Sequence, residues 1–101
     1  MYTLIKLDKE RKLRYSMKAL IMLEEKFKKP LMSLDLQNIS LKDLAVYVWA
    51  GLYSDDDTLT VERVIDLIDE YSDINTVMEK MGKAMSDSFS GSEGNAPTKN
   101  A

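Results

Sequence analysis

Apolar and polar residues alternate along the beginning of the chain, on either side of the charged tetrad DKER. In the segment YTLIKL, every second residue from Thr3 to Leu7 falls on one face of an extended chain. In the segment KLRYS, Leu13 and Tyr15 do the same. Period-two alternation around a polar turn predicts a β-hairpin over residues 2–15. Two strands alone are marginally stable, so this hairpin must pack on an apolar surface.

Apolar residues at helical spacing predict four helices after the hairpin. Ser16, Ser40 and Thr60 are suited to cap the first three, and Ser72 or Asp73 to cap the fourth. The first helix is apolar over more than half of its circumference, so we expect it at the centre of the fold. The predicted helices span about residues 17–29, 41–53, 61–71 and 74–88.

These elements predict a mainly α fold, in which an N-terminal β-hairpin packs on a compact bundle of about four helices. Residues 1–85 are expected to form a single globular domain, because the chain is too short for a second core. Gly51 lies near the end of the second helix, where glycine is tolerated best. Residues 90–101 are rich in serine, glycine and asparagine and are expected to be a disordered tail.

The chain contains no cysteine and no histidine. Thiolate metal sites and cysteine nucleophiles are therefore excluded, and so is the commonest general base. There is also no phosphate-binding glycine loop and no nucleophile elbow. The composition argues against an enzyme and suggests no cofactor. No apolar run approaches the roughly 20 residues that span a bilayer, so we expect a soluble intracellular protein with no membrane partner.

Charge is distributed unevenly along the chain. Residues 1–29 carry nine basic and four acidic side chains, and residues 54–73 carry eight acidic side chains against Arg63 alone. The two regions are either ordinary solvated faces or surfaces that steer a partner, including a second copy of the chain. The net charge is −3, and the basic region lacks the aromatic pattern of a nucleic-acid surface, so no nucleic-acid partner is expected.

The stretch YSDDDTLTVE, residues 53–62, raises the possibility of a calcium loop. Such a loop requires glycine at position 6 and glutamate at position 12. A start at Asp55 places Thr60 and Asp66 there, and a start at Ser54 places Leu59 at position 6. The pattern argues against a calcium site and for a helix connection, since aspartate, serine and threonine favour turns.

The order of these elements, together with several short motifs, resembles the tail assembly chaperones of long-tailed bacteriophages and prophages. In that family a helix of the form aL..LEe..gkpl is followed by l.dl...l.aGL....p.lt.e.v..lid. The similarity covers residues 12–70, with one departure at Lys28-Lys29, where a glycine is expected. The matching residues are Ala19, Leu20, Leu23, Glu24, Glu25, Pro30, Leu31, Leu41, Asp43, Leu44, Ala50, Gly51, Leu52, Leu59, Thr60 and Val64.

This resemblance implies a non-enzymatic assembly factor in the host bacterial cytoplasm. Members of the family coat the tape measure protein, prevent its aggregation and help tail tube subunits assemble around it. They are usually absent from the finished virion. The implied partners are the tape measure protein and, through a longer frameshifted form, the tail tube protein; a homo-oligomer is also compatible with this role.

The longer form arises in many members by a −1 ribosomal frameshift near the end of the short reading frame. If the codons of Thr98, Lys99 and Asn100 read A-AAA-AAC, they supply a slippery heptamer at the expected place. A chance occurrence of this common dipeptide explains the residues equally well, and the gene sequence distinguishes the two.

Tape measure proteins resemble long coiled coils, so the expected mode of binding is a helix in a groove. The candidate partner-binding residues are Met78, Met81, Met85 and Phe89, because methionines adapt to varied surfaces. The alternative is an ordinary core stripe, which we favour for Met78 and Met81; Met85 and Phe89 are expected to be exposed.

Two other function classes remain open. One is a small structural neck or tail-completion protein of the virion. The other is an intracellular adaptor or regulator unconnected with phage.

Overall fold

The computed structural model describes residues 2–35 and 38–89. The expected tail over 90–101, including Thr98, Lys99 and Asn100, lies outside these residues. The described chain has the predicted mainly α architecture, with an antiparallel hairpin packed on four helices. Its elements are β1 (Thr3–Lys6), β2 (Glu10–Leu13), α1 (Met17–Phe27), a short 3₁₀ helix (Leu31–Ser33), α2 (Leu41–Leu52), α3 (Val61–Tyr71) and α4 (Ile74–Phe89).

The hairpin forms as the alternation predicts. β1 and β2 pair with Thr3 opposite Leu13, which places the predicted apolar residues on the inner face. Arg11, which the sequence assigns to the polar connection, is instead a buried residue of β2. The buried residues of the hairpin and the following residues are Thr3, Ile5, Leu7, Arg11, Leu13 and Tyr15.

Local side chains fix the beginnings of the helices. The hydroxyl oxygens of Ser16, Ser40 and Thr60 accept hydrogen bonds from the backbone N–H three residues later, at 3.2, 3.1 and 3.1 Å. Of the two candidates before α4, Asp73 is the cap, since its carboxylate accepts from the Thr76 N–H at 2.8 Å. These bonds satisfy N–H groups that have no partner within the helix.

The central helix is α2, and the prediction that α1 would be central is wrong. Eight of the twelve residues of α2 are buried, but only Ala19 and Leu23 are buried in α1. Met17, in the first turn of α1, is 77% exposed. Other apolar residues of α1, such as Leu20 and Phe27, pack only partly buried at the margin of the core. The first helix therefore covers one side of the bundle.

The hairpin packs closely against α2 at Gly51. A Cβ atom at this position would lie 2.5 Å from Cδ1 of Leu13 and 2.9 Å from Cζ of Tyr15. The Arg14 N–H donates to the Gly51 carbonyl at 2.8 Å, and the Tyr15 hydroxyl donates to the Tyr47 carbonyl at 2.6 Å. Burial raises the pKa of the Tyr15 phenol, which keeps the hydroxyl protonated as a donor. Close packing, rather than nearness to the helix end, explains this glycine.

The end of α1 contains Lys28 in the left-handed conformation, with φ 57° and ψ 42°. Glycine adopts this conformation without the Cβ penalty that other residues carry. We therefore expect Lys28→Gly to raise the free energy of unfolding by about 0.5 to 1 kcal/mol. Urea unfolding of the two proteins measures this difference. Lys29→Gly is the matched control, and an equal gain in the control would contradict the explanation.

Candidate partner-binding groove

The four predicted partner-binding residues do not share one exposed surface. Met81 and Met85 are buried, with Met85 only 2% exposed, whereas Met78 is partly exposed and Phe89 is 55% exposed. The expectation that Met85 would be exposed is wrong, because it belongs to the face of α4 that packs on α2 and β1. Met81 is a core residue, as the favoured alternative predicts, but the same prediction for Met78 is wrong, because Met78 is 38% exposed.

Met85 and Phe89 nevertheless meet at an apolar groove beside the C-terminal part of α4. The groove encloses about 190 Å³. Phe89 and Met32 are its most accessible residues, since Met32 is 94% exposed, while Met85 contributes a buried part of the wall. We call this site the apolar groove, and its lining consists of Leu31, Met32, Leu34, Tyr47, Met85 and Phe89.

One wall of the apolar groove is fixed by the end of α1. The Glu24 carboxylate accepts a hydrogen bond from the Leu31 N–H at 2.7 Å, and the Lys28 N–H donates to the Glu24 carbonyl. The Ser33 N–H donates to the Pro30 carbonyl at 2.9 Å, which closes the 3₁₀ turn. The segment that carries the wall is therefore tied to α1 by the side-chain carboxylate and by the backbone carbonyl of Glu24.

The opposite side of the groove is also held in place. The Ser88 hydroxyl donates to the Tyr15 carbonyl at 2.6 Å, which anchors the end of α4 next to Phe89. The Tyr47 ring packs against the Phe27 ring with 5.1 Å between centroids. Because contacts within the chain hold these neighbours in place, the lining of the groove would need little ordering to accept a partner.

The lining of the apolar groove suits side chains of another protein better than a small molecule. All six lining residues are apolar or aromatic, and none is charged. Pockets that bind drug-sized ligands or cofactors enclose about 300 to 1,000 Å³, which exceeds the space here. The groove therefore offers a place for one or two apolar anchors of a partner.

Within residues 2–35 and 38–89, no three histidine, cysteine or acidic side chains are arranged to hold a metal ion.

Arg11 organises the aspartate loop between α2 and α3. Its guanidinium donates to both carboxylate oxygens of Asp8, at 2.9 and 3.0 Å. It also lies 3.4 Å from the Asp56 carboxylate and 4.0 Å from that of Asp55. The dense aspartates thus surround one buried cation of the hairpin. Sequence reasoning missed this cluster, although Arg11 shares the period-two face of Leu13.

Asp56 links the stability of this loop to pH. The Thr58 hydroxyl and N–H, followed by Arg11, bond to its carboxylate and lower its pKa below the ordinary value of 3.8. A carboxyl group whose pKa is lower in the folded state than in the unfolded state stabilises the fold at pH values above its unfolded-state pKa. This stabilisation is lost as the pH falls through its folded-state pKa. We therefore expect the free energy of unfolding to fall below about pH 4, and to fall less steeply in Asp56→Asn.

Urea unfolding of the wild type and of Asp56→Asn, at about pH 6 and about pH 3, measures how far the free energy of unfolding falls in each protein. Asp57→Asn, a change at the exposed neighbour in the same loop, serves as the control and should retain the wild-type pH dependence. Identical pH dependence in Asp56→Asn and the wild type would contradict this account of the loop.

The described helices include none with the length and apolar character needed to cross a bilayer. The chain was also compared with known proteins. Comparisons with protein-family models, with curated proteins and with solved structures found no match.

Proposed function

We propose that this protein is a bacteriophage tail assembly chaperone. It binds the tape measure protein, keeps it soluble and promotes assembly of the tail tube. The protein acts in the host bacterial cytoplasm without catalysis or a cofactor, and it is absent from the mature virion. A longer form, made by ribosomal frameshifting, contacts the tail tube protein.

The observation that carries this proposal is the position of the residues that resemble the family. Leu23 and Glu24 lie in the second half of α1, and Pro30 and Leu31 lie at the beginning of the 3₁₀ helix, where the Leu31 N–H donates to the Glu24 carboxylate. Leu31 is the residue of this motif that lines the apolar groove, and the Glu24 carboxylate holds its N–H. A sequence pattern that shapes an exposed apolar groove supports a binding function better than a purely internal packing pattern would.

The one departure from the family pattern also supports the resemblance. Lys28 occupies the position where the family is expected to have glycine. Among the residues that the structure describes, it is the non-glycine residue with a positive φ. The family pattern therefore has glycine at position 28, where the backbone conformation of this chain favours glycine. The local backbone agrees with the family pattern although the residue differs.

The apolar groove suggests how the chaperone works. A tape measure helix places one or two apolar side chains in the groove, which covers them and prevents contact with another tape measure chain. Each contact is small, so a single copy binds weakly. Many copies along a long helix, each at its own apolar segment, together cover the surface that would otherwise aggregate.

Co-expression with the tape measure protein of the same phage or prophage tests this function. We expect the tape measure protein to remain in the soluble fraction with the chaperone and to aggregate without it. Mass spectrometry of purified particles should detect no chaperone. Equal solubility with and without the protein would contradict the proposal, and stoichiometric amounts in particles would identify a structural virion component instead.

The nucleotide sequence across the stop codon tests the longer form. We expect the codons of Thr98, Lys99 and Asn100 to contain A-AAA-AAC, followed by an open −1 frame. Codons that interrupt the heptamer, or an immediate stop in that frame, would exclude frameshifting at this place.

A further inference from the structure

A second groove lies between the first turn of α2, the second half of α3 and the start of α4. It encloses about 270 Å³. Three of its apolar residues are exposed; Leu41 is 67% exposed, and Ile65 and Ile74 are also accessible. We call it the acidic groove, and its lining consists of Leu41, Leu44, Ala45, Ile65, Ile68, Asp69 and Ile74.

The walls of the acidic groove leave side chains, rather than backbone, for a partner to contact. All of the lining residues belong to helices, whose backbone groups are bonded internally. The Ser40 hydroxyl and the Asp73 carboxylate cap the starts of α2 and α4, at 3.1 and 2.8 Å from the N–H groups that they accept from. A partner therefore cannot add a strand here. A helix with apolar side chains one turn apart fits such a groove.

A row of carboxylates borders the acidic groove along α3. Glu62, Asp66 and Asp69 are spaced four and three residues apart, so they lie on one side of the helix. All three are exposed. Among the residues that the structure describes, none of the three takes part in an ion pair. Asp73, just before α4, adds a fourth carboxylate. The border of the groove is therefore negatively charged.

The cations of α2 and α3 do not neutralise this border. Arg63 is two residues before Ile65, and residues at this spacing do not share a side of a helix. Lys42 follows Leu41 at the edge of the groove, but Asp43 lies in the same turn. An apolar centre with a negative border is complementary to apolar side chains surrounded by lysine and arginine.

The hairpin of a second copy does not supply such a surface, although it carries several cations. Asp55 lines the same pocket as Lys12 and Arg14, so a carboxylate already lies among these side chains. The guanidinium of Arg11 is bound to Asp8. Because the charges of the hairpin are largely balanced within the chain, the complementary surface belongs to a different protein.

We infer that the acidic groove binds a basic amphipathic helix of another protein. Apolar side chains one turn apart on that helix contact Leu41, Ile65 and Ile74. The lysines and arginines that flank them face the carboxylates of Asp66 and Asp69. The apolar groove described above has no charged residue in its lining, so the two grooves select partner segments of different charge.

A designed peptide tests this inference with the purified chain. The probe is a fluorescent helix of about 18 residues, long enough to form turns in water, with leucines on one side and lysines on the others. One control peptide replaces every lysine with glutamate, and a second keeps the composition but scrambles the order. We expect the probe to bind with a dissociation constant at least about tenfold lower than that of either control, measured by fluorescence anisotropy at low salt.

Two changes at the groove should act in opposite directions. Asp66→Lys with Asp69→Lys should raise the dissociation constant of the probe at least about tenfold, whereas Lys42→Glu should lower it about two- to fivefold. Glu25→Lys with Asp57→Lys makes the same change in net charge at exposed positions outside the groove, and it should have a much smaller effect. Thermal unfolding verifies that each variant is folded.

Three results would overturn the inference. The first is equal binding of the probe and the scrambled peptide, which would indicate general attraction of a polycation. The second is an equal loss of affinity in the two charge-reversed double variants. The third is a probe that fails to bind while the chain sediments as an oligomer that Asp66→Lys with Asp69→Lys dissociates, because the occupant would then be a second copy.

This inference does not rest on the proposed function, because the experiment uses a designed peptide and the purified chain. Failure of the peptide to bind leaves the apolar groove and the tape measure protein untested by it, and failure to solubilise the tape measure protein leaves the acidic groove unaffected.

Discussion

Replacing Gly51 with alanine is expected to lower the free energy of unfolding by about 3 kcal/mol. The new methyl group would lie 2.5 Å from Leu13 and 2.9 Å from Tyr15, both of which are buried. Neither side chain can move away without disturbing the core or the hydrogen bond from Tyr15 to the Tyr47 carbonyl. The hairpin would have to shift relative to α2. Urea unfolding monitored by circular dichroism measures the loss.

Gly82 gives the matched control for this prediction. It lies within α4, and a Cβ atom there would meet nothing within 4 Å. Because glycine is unfavourable inside a helix, Gly82→Ala should raise the free energy of unfolding by about 0.5 to 1 kcal/mol. The same substitution therefore has opposite signs at the two positions. A stabilising effect of Gly51→Ala would show that the hairpin does not pack on α2 as described.

Local chemistry in the sequence was enough to predict the elements. Ser16, Ser40 and Thr60 each bond to a backbone N–H only three residues away, so their capping role depends on nothing distant. The hairpin could be predicted equally well, since the alternation from Ile5 to Tyr15 follows directly from the geometry of a strand. Signals of this kind lie within a few residues of the feature that they specify.

Arrangements that depend on distant residues could not be predicted in the same way. Apolar composition alone does not distinguish α1 at the margin of the core from α2 at its centre. The need for glycine at Gly51 depends on Leu13, nearly forty residues earlier in the chain. The burial of Met85 depends on which face of α4 meets α2 and the hairpin. Each of these facts is a property of tertiary packing.

The apolar groove is built from two parts of the chain that lie far apart in the sequence. Two of the predicted residues, Met85 and Phe89, line the groove, while Met78 and Met81 do not. The other side comes from the segment after α1, which sequence periodicity along α4 cannot reveal. Its clue was the family-like motif that contains Glu24 and Leu31.

The second large effect is expected from removing the accessible apolar side chains of the groove. Phe89→Ser together with Met32→Ser should weaken binding to the tape measure protein at least about tenfold. The reason is that side chains that become buried in a complex supply most of the affinity of an interface. Both residues are exposed, so the free energy of unfolding should change by less than about 1 kcal/mol. Binding titrations and urea unfolding measure the two quantities.

Two comparisons make this prediction specific. Met17→Ser removes another exposed methionine outside the apolar groove, and it should leave the affinity unchanged. Substitution of Met85 is avoided, since loss of a buried methionine costs about 2 to 5 kcal/mol and would confuse unfolding with lost binding. Unchanged affinity of the double variant would exclude the groove as the binding surface.

Photocrosslinking from the apolar groove tests the central claim most directly. A photoreactive phenylalanine analogue replaces Phe89 in one variant and Met17 in another, and each variant is produced in cells that assemble the phage tail. We predict that position 89 crosslinks to the tape measure protein and that position 17 does not. Absence of a tape measure crosslink at position 89, or equal crosslinking from both positions, would contradict the account.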